Sequence, residues 1–187
     1  GSLAAKGKYI FPLDNDDLFL DNDTIDIVYN EINNNDYDSI YYKGITLRHV
    51  HDIFSLKNMK EFRTYKNDII MKQPELGDYS LTKMVLWGQC IKTELYQRAI
   101  NAYGEKRYSR YVTFYEDAII HFIITHLAKT SKLFSKYGIL HIEKPNTASA
   151  TVNPIRKLTF YIYFIETIFE FSRNTTYSKE IAVSNLL

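Results

Sequence analysis

The chain has 187 residues, 45% of them apolar and 24% charged, which is ordinary for one folded domain with a sizeable core. A formal net charge of +1 gives no electrostatic reason to expect nucleic acid or an anionic membrane as a partner. Its single cysteine excludes an intrachain disulfide framework and suits a reducing compartment. We therefore expect a cytoplasmic protein, or one at the cytoplasmic face of a membrane.

The first predicted element is an apolar strand over residues 8–13 that runs directly into Asp14, Asp16 and Asp17. Ionised carboxylates so close together repel one another, so the cluster costs stability unless a cation binds there. Mg²⁺ and Mn²⁺ take oxygen ligands, and Mg²⁺ commonly uses one or two carboxylates together with substrate phosphates. The strand end therefore predicts a metal-assisted phosphate site.

Hydrophobic periodicity predicts the later elements. In chain order they are a helix over 24–32, a strand over 38–42, an irregular excursion over 43–79 with a short helix at 55–62, a strand over 85–91, a helix over 93–102, a helix over 115–128, a hairpin of 131–137 and 139–143, and a helix over 154–172. We expect Asp21 or Asp23 to cap the first helix, Gly104 to end the second and Gly138 to form the hairpin turn. The longest apolar run, residues 160–171, is too short and too charged to span a bilayer.

Helices and strands alternate in the first half, which predicts an α/β fold with a mixed sheet flanked by helices. The residues alone allow three interpretations of the acidic cluster. Helix capping and solvation is the plainest. A calcium loop fails, because its required Gly and Glu positions hold Phe19 and Ile25. A phosphatase of the haloacid-dehalogenase class, with Asp14 as nucleophile and Asp16 as general acid, is a weak rival because Leu18 replaces the usual Thr or Val.

Four segments, in order, are similar to the sequence pattern of one enzyme family. They are Ala-Ala-Lys-Gly-Lys-Tyr-Ile-Phe-Pro-Leu-Asp-Asn-Asp-Asp at 4–17, Val-Leu-Trp-Gly-Gln-Cys-Ile-Lys-Thr-Glu-Leu at 85–95, Tyr-Glu-Asp at 115–117 ahead of an apolar helix, and, more loosely, the polar stretch 141–151. Pro12 is a local change within the first. Over residues 3–151 the chain resembles a family 2 glycosyltransferase with the GT-A fold, an enzyme that uses a nucleotide-diphosphate sugar.

The resemblance implies a role for each acidic motif. Asp14 and Asp16 would bind Mn²⁺ or Mg²⁺ and the donor diphosphate, with Asp16 as the direct metal ligand and Asp14 nearer the ribose or sugar. Asp17 would orient the loop. Asp117, beside Glu116 at a helix start, would be the general base that deprotonates the acceptor hydroxyl, and the anomeric carbon would be inverted. A UDP-sugar is the expected donor, with a glycan, protein or lipid as acceptor.

Two other side chains, Trp87 and His141, carry weaker predictions. Trp87, the only tryptophan, is a candidate for shaping the acceptor site, although burial in the sheet explains it equally well. His141 is a candidate metal or diphosphate ligand, with a satisfied, partly exposed histidine as the plainer reading. His121 and His126 are five residues apart on one helix, so they face different directions and receive no chemical role.

The match also has gaps. Members of the family begin with a strand and a second strand followed by an Asp for the nucleotide base, and neither element occurs here. The resemblance therefore implies an N-terminally truncated GT-A-like catalytic domain over 1–152 and a helical extension over 153–187. Such a chain would be a fragment, a truncated product, or a domain completed by a partner through an exposed sheet edge or the C-terminal helix. The alternative is a non-catalytic remnant or binding module.

Overall fold

The computed structural model describes residues 2–47, 60–63, 65–72, 85–104, 116–143 and 154–173. Within them the fold is α/β, with one mixed sheet and four helices, as expected from the alternation of elements. The predicted short helix at 55–62 falls mostly outside the described residues. Its last three residues, 60–62, form a strand, so the helix prediction is wrong there.

The bounds of the elements follow chain order after a 3₁₀ turn at Ser2–Ala4. The strands are β1 (Tyr9–Ile10), β2 (Leu18–Phe19), β3 (Ser39–Leu47), β4 (Lys60–Phe62), β5 (Ile69–Lys72), β6 (Gln89–Lys92) and β7 (Thr130–Ile142). The helices are α1 (Thr24–Asn34), α2 (Thr93–Tyr103), α3 (Glu116–Leu127) and α4 (Pro154–Arg173). None of these helices is both long and apolar enough to cross a bilayer.

The sheet is built on β3 and β7, which pair in parallel at its centre. The strand order is β1-β6-β3-β7-β2, and β6 and β2 are antiparallel to their central neighbours. β4 pairs with the second half of β3, and β5 pairs with the first half of β7. Both central strands therefore have two short partners on their outer sides.

Alternation along the central strands divides the core into two layers, because successive side chains of a strand point to opposite faces. One face carries Tyr41, Ile91 and Leu133 and packs against α2, α3 and α4. The other face carries Ile40 and Phe134, among others, and packs against α1. The sheet is thus covered by helices on both faces.

The helices differ in how much of their surface is buried. α3 is buried almost all round because its sequence from 118 to 125 is nearly continuous in apolar residues. α4 buries Phe160, Phe164 and Thr167 against the same core and leaves Ile155, Leu158 and other apolar residues exposed. The predicted ends of α2, α3 and α4 agree with the structure within two residues.

The start of α1 shows which acid contributes to the cap. Asp23 occupies the N-cap position but makes no side-chain cap bond. The carboxylate of Asp21 instead accepts from the Thr24 hydroxyl at 2.9 Å and from the Asp23 amide at 3.1 Å. Of the two predicted capping residues, Asp21 therefore makes the side-chain bonds.

The predicted hairpin at Gly138 is wrong, because residues 130–142 form the single strand β7. The register between β3 and β7 slips twice, from Tyr42↔Phe134 to Lys43↔Tyr137 and then to Gly44↔Ile139. Extra residues of β7 are accommodated as bulges, where a glycine is common. A Cβ on Gly138 would lie 2.9 Å from the Tyr42 ring, so glycine here permits a close approach rather than a turn.

Two predicted strands are shorter in the structure. The first ends at Ile10, and Phe11 leaves the ladder to pack on Phe19 and Tyr42 with ring centroids 5.1 and 5.5 Å away. Pro12, which follows, has no amide hydrogen to donate to a neighbouring strand. The predicted strand at 85–91 starts only at Gln89, because Gly88 has a φ of +70° that interrupts extended backbone.

Candidate functional site

The acidic cluster forms a tight turn between β1 and β2. The Asp17 amide donates to the Asp14 carbonyl at 3.1 Å, which closes the turn over residues 14–17. The three carboxylates differ in exposure: Asp14 is exposed, Asp16 is partly buried and Asp17 is buried, with only 4% of its surface accessible. The turn therefore offers Asp14 and Asp16 outward and anchors itself through Asp17.

Asp17 is anchored to the far end of β7. Its Oδ1 lies 2.8 Å from His141 Nδ1 and accepts from the Ile142 amide at 3.3 Å. The pairing of β2 with β7 explains this contact, because Leu18 lies opposite Leu140 and the next pair outward is Asp17 and His141. No hydrogen-bond donor among the described residues reaches the buried Oδ2 of Asp17.

His141 is held between Asp17 and Trp87. Its ring stacks on the indole with centroids 4.6 Å apart and planes 9° apart. Burial by itself lowers the pKa of His141, but the hydrogen bond and charge of Asp17, followed by the charges of Glu143 and Asp14, raise it overall. The imidazole is therefore biased toward the charged form that pairs with the Asp17 carboxylate.

Trp87 is buried, and one face of its indole is covered by His141. The structure thus places Trp87 beside the acidic turn, as a packing partner of its histidine. A role in shaping the acceptor site stays a prediction. Through its contact with His141, Trp87 places the segment before β6 beside β7 and the acidic turn.

Asp117 lies in the first turn of α3 and is partly buried, whereas the Glu116 side chain lies outside the described part of the chain. The direction of α3 follows from two contacts. His121 lies edge-on to the Tyr41 ring, with centroids 5.7 Å apart, and the chain after the helix reaches Thr130, whose carbonyl accepts from the Asp38 amide. α3 therefore runs opposite to β3, and its first turn lies toward the end of the sheet that carries Asp17 and His141.

The residues of the site are compatible with a divalent cation. Among the residues that the structure describes there is no group of three or more His, Cys, Asp or Glu that could hold a metal by itself. A cation held jointly by protein and substrate phosphates needs only one or two carboxylates. The exposed Asp14, the partly exposed Asp16 and the buried Asp17 Oδ2 together supply negative charge that a cation or a proton donor would compensate.

The other two described histidines belong to the core. His121 Nδ1 lies 2.7 Å from Gln89 Nε2, and burial holds the pKa of His121 well below 6.5. His126 Nδ1 lies 2.7 Å from the Phe122 carbonyl, and burial lowers its pKa as well. Both rings are therefore neutral near pH 7 and consistent with structural packing.

No protein-family model matches the sequence, and no curated protein matches it either. Short sequence motifs point to the acidic turn, Trp87 and His141. These motifs do not include Arg63, whose buried guanidinium donates to the carbonyl of Gly88, the residue after Trp87. Arg63 follows a stretch of irregular sequence with no periodicity, so no pattern marked it as a core residue.

Proposed function

We propose that the chain is the metal-dependent, inverting glycosyltransferase module that its motifs resemble, acting on a nucleotide-diphosphate sugar and an acceptor hydroxyl. The contact between Asp17 and His141 carries the proposal. It joins the acidic turn to the end of β7, although the two are 124 residues apart in sequence. Two motifs that the resemblance assigns to one site thus lie side by side.

Asp14 and Asp16 would hold Mn²⁺ or Mg²⁺ against the donor diphosphate, and the ion would neutralise the charge that develops on the leaving group. Asp17 would keep the turn in place through His141 and the Ile142 amide. The raised pKa of His141 supports an imidazolium beside this turn, where a positive charge faces the diphosphate region. The predicted role of His141 as a metal ligand is the alternative to this one, because only the neutral imidazole would bind the ion through its second nitrogen.

Asp117 would accept the proton of the acceptor hydroxyl. The acceptor oxygen then forms a bond to the anomeric carbon while the bond from that carbon to the diphosphate oxygen breaks. The proton remains on Asp117, and the nucleoside diphosphate leaves. The position of Asp117 in the first turn of α3 supports this role, because the helix N-terminus favours the ionised carboxylate that a base requires.

Hydrolysis of a panel of nucleotide-diphosphate sugars with Mn²⁺ tests the proposal. Wild type should release nucleoside diphosphate, and Asp16→Asn and Asp117→Asn should each lose about 100-fold or more of that rate. Asp23→Asn is the matched control, because it removes an acid from the same segment without removing a side-chain cap bond. Background turnover by wild type and all variants would overturn the enzymatic proposal.

Two other outcomes point to the alternatives. A binding module would bind the Mn²⁺–nucleotide-sugar complex, lose that binding in Asp16→Asn, and show no turnover. A phosphatase would instead release phosphate from simple phosphomonoesters, and Asp14→Asn would abolish that release.

A further inference from the structure

Arg63 is buried, with 1% of its surface accessible. Its Nη1 donates to the Tyr42 carbonyl and to the Gly88 carbonyl, both at 2.7 Å. The guanidinium carbon also lies 5.3 Å from the centroid of the Tyr41 ring. One side chain therefore connects the centre of β3 to the turn that precedes β6.

The backbone at both ends of this connection is unusual. Arg63 has a φ of +63°, a conformation that residues other than glycine rarely adopt. Gly88 has a φ of +70°, and a Cβ there would lie 3.1 Å from Arg63 Nη1. The absence of a side chain at Gly88 is what allows the guanidinium to approach. Such backbone conformations persist where the surrounding structure requires them.

The connection lies next to Trp87. Gly88 is the next residue in the chain, and its carbonyl accepts from the Tyr42 amide as well as from Arg63. Two donors therefore hold the carbonyl of Gly88, one residue after Trp87. Gly88 lies one residue beyond the last pair of the β3–β6 ladder, Tyr41↔Gln89, so the Arg63 bonds hold the chain where that ladder ends.

We propose that Arg63 is a positioning residue that holds the Trp87 ring against His141, and thereby the histidine against Asp17, by binding the Gly88 and Tyr42 carbonyls. Its importance for turnover rests on the proposed function, but the positioning itself does not. Burial lowers the pKa of Arg63 to about 10, so the guanidinium still carries its charge at neutral pH. Lysine cannot reproduce this arrangement fully, because its ammonium lacks the planar guanidinium that lies beside the Tyr41 ring while Nη1 binds the two carbonyls.

Trp87 is the only tryptophan, so its emission reports the geometry of this site alone. Arg63→Lys and Arg63→Met would be compared with Lys132→Met. Lys132 is also a largely buried cation, paired with Glu31 at 2.7 Å and Asp68 at 3.2 Å near the opposite end of β7 from His141. The control therefore removes a buried charge without touching the Trp87 region.

In both Arg63 variants we expect emission at longer wavelength and acrylamide quenching that is roughly twofold stronger, because the loosened indole becomes accessible. Arg63→Lys should show the smaller change. Lys132→Met should keep the wild-type emission. If Arg63→Met does not fold, as judged by circular dichroism, Arg63→Lys alone decides. Unchanged emission and quenching in folded Arg63→Lys would overturn the proposal.

The same variants separate this proposal from the proposed function. Altered Trp87 emission with no sugar-nucleotide turnover in wild type supports positioning by Arg63 and rejects the transferase. Turnover in wild type, with unchanged emission in folded Arg63→Lys, supports the transferase and rejects positioning. If both hold, Arg63→Lys should lose turnover while Lys132→Met keeps it.

Discussion

The side chains of Asp17 and His141 meet across the antiparallel pair of β2 and β7, with 2.8 Å between Oδ1 and Nδ1. Asp17 is buried, so the pair is shielded from solvent on the carboxylate side. Because the Asp17 carboxylate favours the charged form of His141, stability should depend on the protonation of His141.

The pKa of His141 is raised in the folded chain, so the stabilising pair is fully present below the unfolded value of about 6.5 and is lost as the pH rises through the folded value. We therefore expect the free energy of unfolding to fall between about pH 7 and pH 9 in wild type. His121 and His126 are already neutral there, since their pKa values are lowered. In His141→Gln, urea unfolding at the two pH values should show a smaller decrease. What remains comes from the buried Cys90 thiol, which ionises near pH 9 only in the unfolded chain. An equal decrease in the variant and in wild type would contradict the assignment.

Asp17→Asn should destabilise the fold by about 1–3 kcal/mol, because it removes the charge that pairs with His141 in a buried position. Asp23→Asn, at the exposed N-cap of α1, should change stability by about 0.5 kcal/mol or less, because Asn and Asp cap equally well. Urea unfolding near neutral pH measures both. Equal losses of stability in the two variants would mean that the pair of Asp17 and His141 does not stabilise the fold.

Gly138→Ala should cost about 1–3 kcal/mol, because the new methyl group would lie 2.9 Å from the Tyr42 ring and 3.1 Å from Thr24 Cγ2. Gly7→Ala is the control, since its Cβ would meet only an ordinary contact at 3.4 Å. Thermal unfolding of the two variants gives the comparison. A neutral Gly138→Ala would show that β7 can shift away from Tyr42 without loss.

Cys90 should resist alkylation in the folded chain. Burial raises the pKa of its thiol to about 12, and the thiolate is the reactive form. Iodoacetamide should therefore label Cys90 slowly in buffer and rapidly in urea, as followed by mass spectrometry. Comparable rates in both conditions would mean that the layer between the sheet and α1 opens readily.

Local patterns predicted the helices well. α2, α3 and α4 have long apolar faces and clear ends, with Gly104 closing α2 at a φ of +87°. These signals are contained within a few residues of each element, so a single sequence reveals them. The α/β class follows from the same alternation and is confirmed. The GT-A identity stays a prediction.

The strands were harder to predict because their ends depend on partners far away in sequence. Glycine is typical of turns, yet Gly138 lies within β7, where the side chains of Tyr42 and Thr24 occupy the space beside it. Gly88 shortens β6, where it meets the Arg63 side chain. Neither contact could be predicted from the neighbouring sequence, because the partners are far away along the chain.

The site was predicted in part. Motifs single out Asp14, Asp16, Trp87 and His141. In the structure His141 contacts both Asp17 and Trp87. Which acid would be buried could not be foreseen, since that depends on β2 lying beside β7. Catalysis by Asp117 stays a prediction.

The outer strands of the sheet are short: β1 and β2, at the two ends of the strand order, have two residues each. On β7, between the segments that pair with β5 and with β2, the Ser135 amide donates a hydrogen bond to the Asp68 carboxylate. An incoming strand would find only one or two backbone groups in a row to pair with in these parts of the chain. At these two borders the short strands oppose edge-to-edge pairing, so self-association through β1 or β2 should proceed through side chains rather than through a continuous intermolecular ladder.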